Sequence, residues 1–255
     1  MEKIVLYEKE NDIGKITLNK PQEKNTLDLT TLKTLIEVFN HSAENEDVCV
    51  IYTANGKHFT VGANLKYGYE LLSNEDKFPE ALAFLEAFQD LSRAMIAHPG
   101  IIIVGYHGWV IGGGFEHTLT CDLKIAADDT KIMLPELTMG LFFGNLCTKL
   151  LPRMVGEVRA REILYLGNQI TAEEAYRLGL VNRVCKRNAL KRILKKYANT
   201  IVQKDHLGLN LTKKLLNENR DSDNESVLDR ELMGMITTGQ SEEVRRRIEM
   251  FIKKK

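Results

Sequence analysis

The sequence predicts an α/β core followed by a helical appendage. Two patterns carry this: short apolar strand signals alternate with helical periods from residue 4 to residue 184, and the chain from residue 188 onward is helical throughout. A third feature organises the rest. The apolar run 101–104 reads as a buried strand, Gly112, Gly113 and Gly114 follow after a short connection, and a helix is expected over 115–121 with Glu116 in its first turn. Consecutive glycines let a backbone approach a ligand and turn its amides outward. A helix start adds partial positive charge. Together they suit an oxyanion, with a carboxylate placed beside it.

In chain order, residues 4–7 and 15–18 read as strands joined by the turn signals Asn11, Asp12 and Gly14. Pro21 marks a turn out of the sheet. Asp28 is placed to cap a helix running to about Ala43, because Leu29, Leu32, Leu35, Ile36 and Phe39 share one face. Residues 48–52 form an apolar strand, and 55–66 form a second glycine-bearing loop. Residues 67–80 are polar and aromatic without a clear period and read as a mobile covering loop. A long helix is expected over 81–97, closed by His98, Pro99 and Gly100. Beyond the organising stretch, residues 123–127 and 131–134 read as strands around the turn Asp128-Asp129. Helices follow over 145–154 and 157–166. Thr171 and Glu174 form a capping box for a short helix that ends at Gly179, and 180–184 is a last strand. The helical tail breaks near Asp205, Asp221 and Gly239, and Ser241 is placed to cap its final helix.

With 255 residues, 44% hydrophobic and 27% charged, the chain has the composition of one large globular domain, or of one domain with an appendage. The formal net charge is zero, so nothing argues for a nucleic-acid or membrane surface. The basic end, Arg245-Arg246-Arg247 with Lys253-Lys254-Lys255, suits a solvated helix terminus, with a nucleic-acid tail or a phosphate-bearing partner as alternatives. Cys49, Cys121, Cys147 and Cys185 are scattered, form no C-x-x-C, and read as free thiols of a reducing compartment. The first residues hold no signal-peptide core, and no apolar run reaches membrane-spanning length. A cytoplasmic protein is expected. The histidines have no metal-binding spacing, no G-x-S-x-G elbow is present, and G-x-G-x-x-G is not satisfied, which disfavours metal, serine-hydrolase and dinucleotide sites.

Several ordered segments resemble the enoyl-CoA hydratase/isomerase (crotonase) family. They are Leu18-Asn19-Lys20-Pro21 through Asn25-Thr26-Leu27, the loop Gly56 to Lys66, the run Gly108 to Glu116 with Cys121-Asp122-Leu123, Pro135-Glu136 with Gly140, and residues 166–184. Their order and spacing match the family over nearly the whole chain. The resemblance implies a spiral of ββα units over residues 1–187 and a C-terminal helical trimerisation region over 188–255. It implies homotrimers, often paired into homohexamers, an acyl-CoA thioester as ligand, coenzyme A as part of the substrate, and no prosthetic group.

The resemblance also implies residue roles. The backbone amides of Ala63 and Gly113 would form the oxyanion hole, each in a glycine-rich loop directly after an expected strand. Glu116 would orient and deprotonate water, and Glu136 would deliver a proton to the α-carbon. Two carboxyl groups divide such work when their environments push their proton affinities apart. The plainer alternatives are a dipole-complementing acid for Glu116 and a surface acid for Glu136. Lys57 and Lys66 match positions near the nucleotide phosphates, or are ordinary surface lysines, and the Val61 carbonyl would meet the adenine. His117 points away from Glu116 on the helix and is expected in the core or behind the site.

One stretch departs from the family pattern. After Glu136 the family's hydratases read G-x-x-P-G-x-G-G, whereas here Phe143, Leu146 and Cys147 replace the proline and the paired glycines. Larger side chains there narrow the acyl end of the pocket or move the water. The loop's usual Asp is Asn64. Hydration of a 2-enoyl-CoA, or the reverse dehydration, is the first expectation. Isomerisation with Glu136 as single acid/base, a hydrolase or decarboxylase on the same hole, and a non-catalytic acyl-CoA-binding module are the alternatives. The carrier is coenzyme A or an acyl-carrier protein.

Overall fold

The computed structural model describes residues 3–253. Met1, Glu2, Lys254 and Lys255, which enter the reading of the chain ends, lie outside the described residues. The chain opens with an antiparallel hairpin, β1 (Val5–Glu10) and β2 (Ile13–Leu18), in which Val5 pairs with Leu18 and Glu10 with Ile13. The first helix, α1 (Leu29–Glu44), is capped as expected: the Asp28 side chain accepts from the Thr31 amide at 2.8 Å. β3 (Cys49–Ala54) follows.

Residues 67–80 are not a loop. They contribute to α2 (Leu65–Leu72), a 3₁₀ turn (Glu75–Lys77) and the first turn of α3 (Phe78–Ala97). Asn64 caps α2 by accepting from the Tyr67 amide at 3.1 Å. The helical period was hidden because α2 buries only Leu71 and exposes Leu65, Tyr69 and Leu72. Pro79 sits in the first turn of α3, where its missing N–H has no intrahelical partner to lose.

Next come β4 (Ile101–Tyr106), β5 (Trp109–Ile111) and α4 (Gly113–Glu116), then a 3₁₀ turn (His117–Thr120). β6 (Leu123–Ala127), β7 (Lys131–Met133), α5 (Cys147–Val155) and α6 (Glu157–Leu166) complete the central part. The last core elements are β8 (Ile170–Thr171), α7 (Ala172–Arg177), which Thr171 caps, and β9 (Arg183–Cys185). β5 and β8, of three and two residues, are too short to leave a sequence period. β9 begins later than expected, with buried Leu180 and Val181 leading into it.

The strands build two sheets with a division of labour. A six-stranded sheet runs β1-β2-β3-β4-β6-β9 and is parallel after the opening hairpin, while β5, β7 and β8 form a smaller one. β4 and β6 thus join the large sheet, and the shorter strands that follow them, β5 and β7, join the small one. Bridges at Thr60–Val110 and Leu27–Ala63 extend the small sheet's pairing back to earlier turns. This is the expected spiral of ββα units. The large sheet is buried on both faces, as parallel sheets are. Val50, Tyr52, Ile102 and Val104 face the main core. Cys49, Ile51, Ile103 and Ile125 face the opposite side, which α8 (Leu190–Val202) covers with Leu190, Ile193, Leu194 and Ala198.

Three further helices follow: α9 (His206–Glu218), α10 (Asn224–Gly239) and α11 (Glu242–Lys253). The buried Lys213 ties α9 to the core, donating to Gly100 O at 2.8 Å and pairing with Asp122 at 2.9 Å. α10 and α11 bury no residue and expose Leu228, Leu232, Met233, Met235, Ile236 and Ile248. No helix among the described residues is long and apolar enough to cross a membrane.

Candidate active site

The two glycine-rich loops lie against one another. The Thr60 amide donates to Trp109 O and the Ile111 amide to Thr60 O, each at 3.2 Å, so the loops after β3 and β5 leave the small sheet side by side. The contact is tight: a side-chain carbon at Gly114 would lie 2.4 Å from Thr60 Cγ2 and 3.2 Å from the Gly62 backbone. On this frame sit Ala63 and Gly113. The Ala63 segment is fixed by its neighbours, since the Leu27 amide donates to Gly62 O and the Asn64 amide to Leu27 O. No described residue accepts from the Ala63 or the Gly113 amide. Two donors are therefore left for a ligand atom.

The helix after the glycines is shorter than expected. α4 spans four residues and the chain continues as a 3₁₀ turn, so the positive end comes from unpaired local amides rather than from a long macrodipole. His117 stands behind this turn, fully buried, with Nδ1 2.8 Å from Gly113 O and Nε2 3.2 Å from the Tyr52 hydroxyl. Burial takes its pKa down to about 4. The neutral ring then donates from Nδ1 and accepts from Tyr52, holding the Gly113 carbonyl turned inward. This is the supporting position its helix face implied.

Glu116 and Glu136 converge. Both are buried, at 2% and 6% exposure, so Glu136 is not the surface acid of its plainer alternative. Glu136 opens a 3₁₀ turn (Glu136–Met139) and reaches back to the glycines. Gly112 (φ 53°) accommodates it, because a side-chain carbon there would lie 2.4 Å from Glu136 Oε1. The two carboxyl groups are close enough to share a proton. Burial raises the pKa of both, and the charge of Glu136 raises that of Glu116 further. The pair titrates as a unit and retains a proton into the neutral range. Such a pair can place an acid and a base on one substrate at the same pH.

The divergent stretch 140–147 forms the wall facing the pair. The Gly144 amide donates to Glu116 Oε2 at 2.7 Å, and Asn145 Nδ2 lies 3.4 Å from the same oxygen. Asn145 and Leu146 are both left-handed, with φ 52° and 61°. Phe143 and Cys147, the replacements noted in the sequence, are buried here. A cavity of about 400 Å³ lies beside this wall, lined by Leu137, Phe142, Phe143, Leu164 and Tyr165 among others.

The residues expected at the nucleotide end are less closely grouped. Lys57 and Lys66 are both exposed, Lys66 in the first turn of α2. The Val61 amide donates to Lys24 O at 3.2 Å, and no described residue donates to the Val61 carbonyl. Lys57, Lys24 and Arg187 surround His58, which is neutral: burial and then these three cations lower its pKa, and its Nδ1 accepts from the Trp109 amide. Sequence reasoning missed Lys24 and Arg187. It also missed Asn145 and its neighbour Ser92, because only folding brings them to this site. No group of three or more His, Cys, Asp or Glu side chains among the described residues is arranged to hold a metal ion.

The sequence profile of the enoyl-CoA hydratase/isomerase family matches residues 8–255. The chain belongs to the enoyl-CoA hydratase/isomerase family. A crotonyl-CoA hydratase of Syntrophomonas wolfei is 33% identical over 223 residues, which are 86% of this chain and 83% of that protein. A short-chain-enoyl-CoA hydratase of Clostridium acetobutylicum is 30% identical over 88% of this chain and 85% of its own length. An enoyl-CoA hydratase of Bacillus anthracis superposes with a TM-score of 0.92 at 26% identity, covering 99% of this chain and 97% of that one. Family membership assigns enoyl-CoA hydratase/isomerase chemistry on CoA thioesters as the general activity.

Proposed function

We propose that the protein is an enoyl-CoA hydratase, adding water across the double bond of a 2-enoyl-CoA or removing it from a 3-hydroxyacyl-CoA. The observation that carries this reading is the pair itself: Glu116 and Glu136 are both buried and interact with one another. An isomerase that shuttles one proton needs one such group, and a binding module needs neither. The thioester carbonyl oxygen would sit between the Ala63 and Gly113 amides. Each such donor is worth about 3 kcal/mol as charge builds on that oxygen. The Glu116 carboxylate takes a proton from water as the water oxygen bonds to the β-carbon. The electron pair of the double bond moves toward the carbonyl, and Glu136 delivers its proton to the α-carbon. Elimination reverses these steps.

Lys57, with Lys24, is proposed to meet the nucleotide phosphates of coenzyme A, and Lys66 and the Val61 carbonyl complete that end by family likeness. The exposed apolar residues of α10 and α11 are proposed to be covered by other copies of the chain, as a homotrimer or homohexamer with residues 188–255 as the association region.

The test is loss of the conjugated thioester absorbance of crotonyl-CoA. Glu116→Gln and Glu136→Gln should each lower kcat by about 10²–10⁴-fold with little change in KM. If Glu136→Gln abolishes activity on a 3-enoyl-CoA while Glu116→Gln leaves it intact, the protein is an isomerase instead. Binding of acyl-CoA across a panel of chain lengths without turnover would support a non-catalytic module.

A further inference from the structure

The two glutamates are held unequally. Glu116 Oε2 faces two N–H donors, the Gly144 amide at 2.7 Å and the Asn145 side chain at 3.4 Å. Glu136 Oε2 is buried with no hydrogen-bond partner. Donors to a carboxylate favour its charged form, and an unpartnered buried oxygen favours the neutral one. The donors on Glu116 therefore oppose the burial and the Glu136 charge that favour its protonated form, and Glu136 Oε2 has no such donor.

The donor from Asn145 is not free to turn. The Ser92 hydroxyl on α3 donates to Asn145 Oδ1 at 2.9 Å. With the amide oxygen engaged, the amide nitrogen, which only donates, is directed at Glu116. Asn145 is itself 2% exposed and left-handed at φ 52°, a conformation that Asn tolerates better than most residues. α3 presents a second uncharged group to this place: a side-chain carbon at Gly144 would meet Gln89 Nε2 at 3.1 Å and Glu116 Oε2 at 3.5 Å. Among the described residues the titratable groups acting on or felt by Glu116 are Glu136 and the Cys147 thiol on α5, whose pKa burial and then the two carboxyl groups raise. No cationic side chain among the described residues acts on it, so what favours its charged form comes from these neutral donors.

We infer that Asn145, fixed by Ser92, is a positioning residue whose amide nitrogen favours the ionised form of Glu116. The inference rests on the hydratase reading for its role in turnover. It does not rest on that reading for its effect on Glu116. The hydroxyl, the amide and the carboxylate form a relay in which Ser92 orients Asn145 and Asn145 orients Glu116.

The variant of choice is Asn145→Gly, because glycine adopts the left-handed backbone without strain and removes only the side chain. In crotonyl-CoA hydration, the acidic limb of the kcat/KM profile should move up by about one pH unit. kcat at neutral pH should fall about tenfold, with KM unchanged. Ser92→Ala should act in the same direction more weakly, and the double variant should be no worse than Asn145→Gly alone. A loss spread evenly over pH, with the limb unmoved, is what a merely structural role would give and would overturn the inference. An independent reading comes from infrared titration of the carboxyl band in a Glu136→Gln background, where Glu116 is the one glutamate left in the pocket. Adding Asn145→Gly should raise that midpoint by about one pH unit. An unmoved midpoint sinks the inference whatever the activity. A moved midpoint in a protein that does not hydrate crotonyl-CoA would leave the inference standing and remove the hydratase reading.

Discussion

The two walls of the site are built differently. The amide wall is backbone, set by strand pairing between successive turns of the chain, with Thr60 laid against Trp109 and Ile111 at 3.2 Å. The carboxylate wall is side chain, set by burial and by the stretch 140–147, where Phe143, Leu146 and Cys147 replace the family's proline and paired glycines. Backbone donors fixed by a sheet tolerate change in most side chains around them. Side-chain acids depend on every residue they touch. The sequence divergence falls on the second wall, so the general chemistry is retained while the proton affinities and the pocket's shape are open to tuning.

This contrast can be broken from the amide side with one methyl group. Gly114→Ala places a carbon 2.4 Å from Thr60 Cγ2 and 3.2 Å from the Gly62 backbone, so the two loops must part. With the donors misaligned, kcat should fall by about 10²–10³-fold while KM moves little. Circular dichroism should show the fold retained. Unchanged kcat would mean that the Ala63 and Gly113 amides do not act together on the substrate.

The carboxylate wall should betray itself in stability. Burial and mutual proximity raise the affinity of this pair for protons in the folded state. The folded protein then holds more protons than the unfolded chain, so this pair's contribution to stability falls as pH rises past the ordinary carboxyl range. Glu116→Gln removes one of the two acids. Its Tm should exceed that of the wild type at pH 8 by roughly 2–4 °C, for about 1 kcal/mol in a chain of this size. The advantage should vanish toward about pH 3, below the ordinary glutamate value, where both carboxyl groups are protonated in either state. A Tm difference that is flat with pH would show that the pair is not desolvated in solution.

The amide wall was also the more legible one. Gly62, Ala63, Gly112 and Gly113 lie in short motifs whose residue types state their own reason, the cap at Thr171 is read from its spacing to Glu174, and the cap at Asp28 from the apolar face that follows it. Glu116 and Glu136 were found because they stand in motifs. Their unequal hydrogen bonding was not, because it depends on a Ser92–Asn145 contact across 53 residues. The helical character of 67–80 was missed for a related reason: α2 buries one side chain, so its fold is decided by the Asn64 cap rather than by a hydrophobic period. β5 and β8 escaped because pairing, and not composition, makes strands of three and two residues.

The smallest effect is expected at the rim, where neither wall reaches. Lys24 and Lys57 are exposed near His58, and neither has a carboxylate partner among the described residues, whereas Arg187 beside them is engaged by Asp129 and the Gly56 carbonyl. Exposed lysines act on a phosphate as screened point charges, each worth well under a factor of ten. The double variant Lys24→Ala/Lys57→Ala should therefore raise KM for crotonyl-CoA by about three- to tenfold at low salt and leave kcat unchanged. The difference should shrink as ionic strength rises. Crotonyl-pantetheine, which lacks the nucleotide phosphates, separates the contributions. Its turnover should be indifferent to the double variant, because its thioester and acyl group reach only the two walls. An equal loss on that shortened substrate would mean that the lysines act through the Lys24–Val61 backbone contact on the amide wall, and the rim would then have to be counted as part of it.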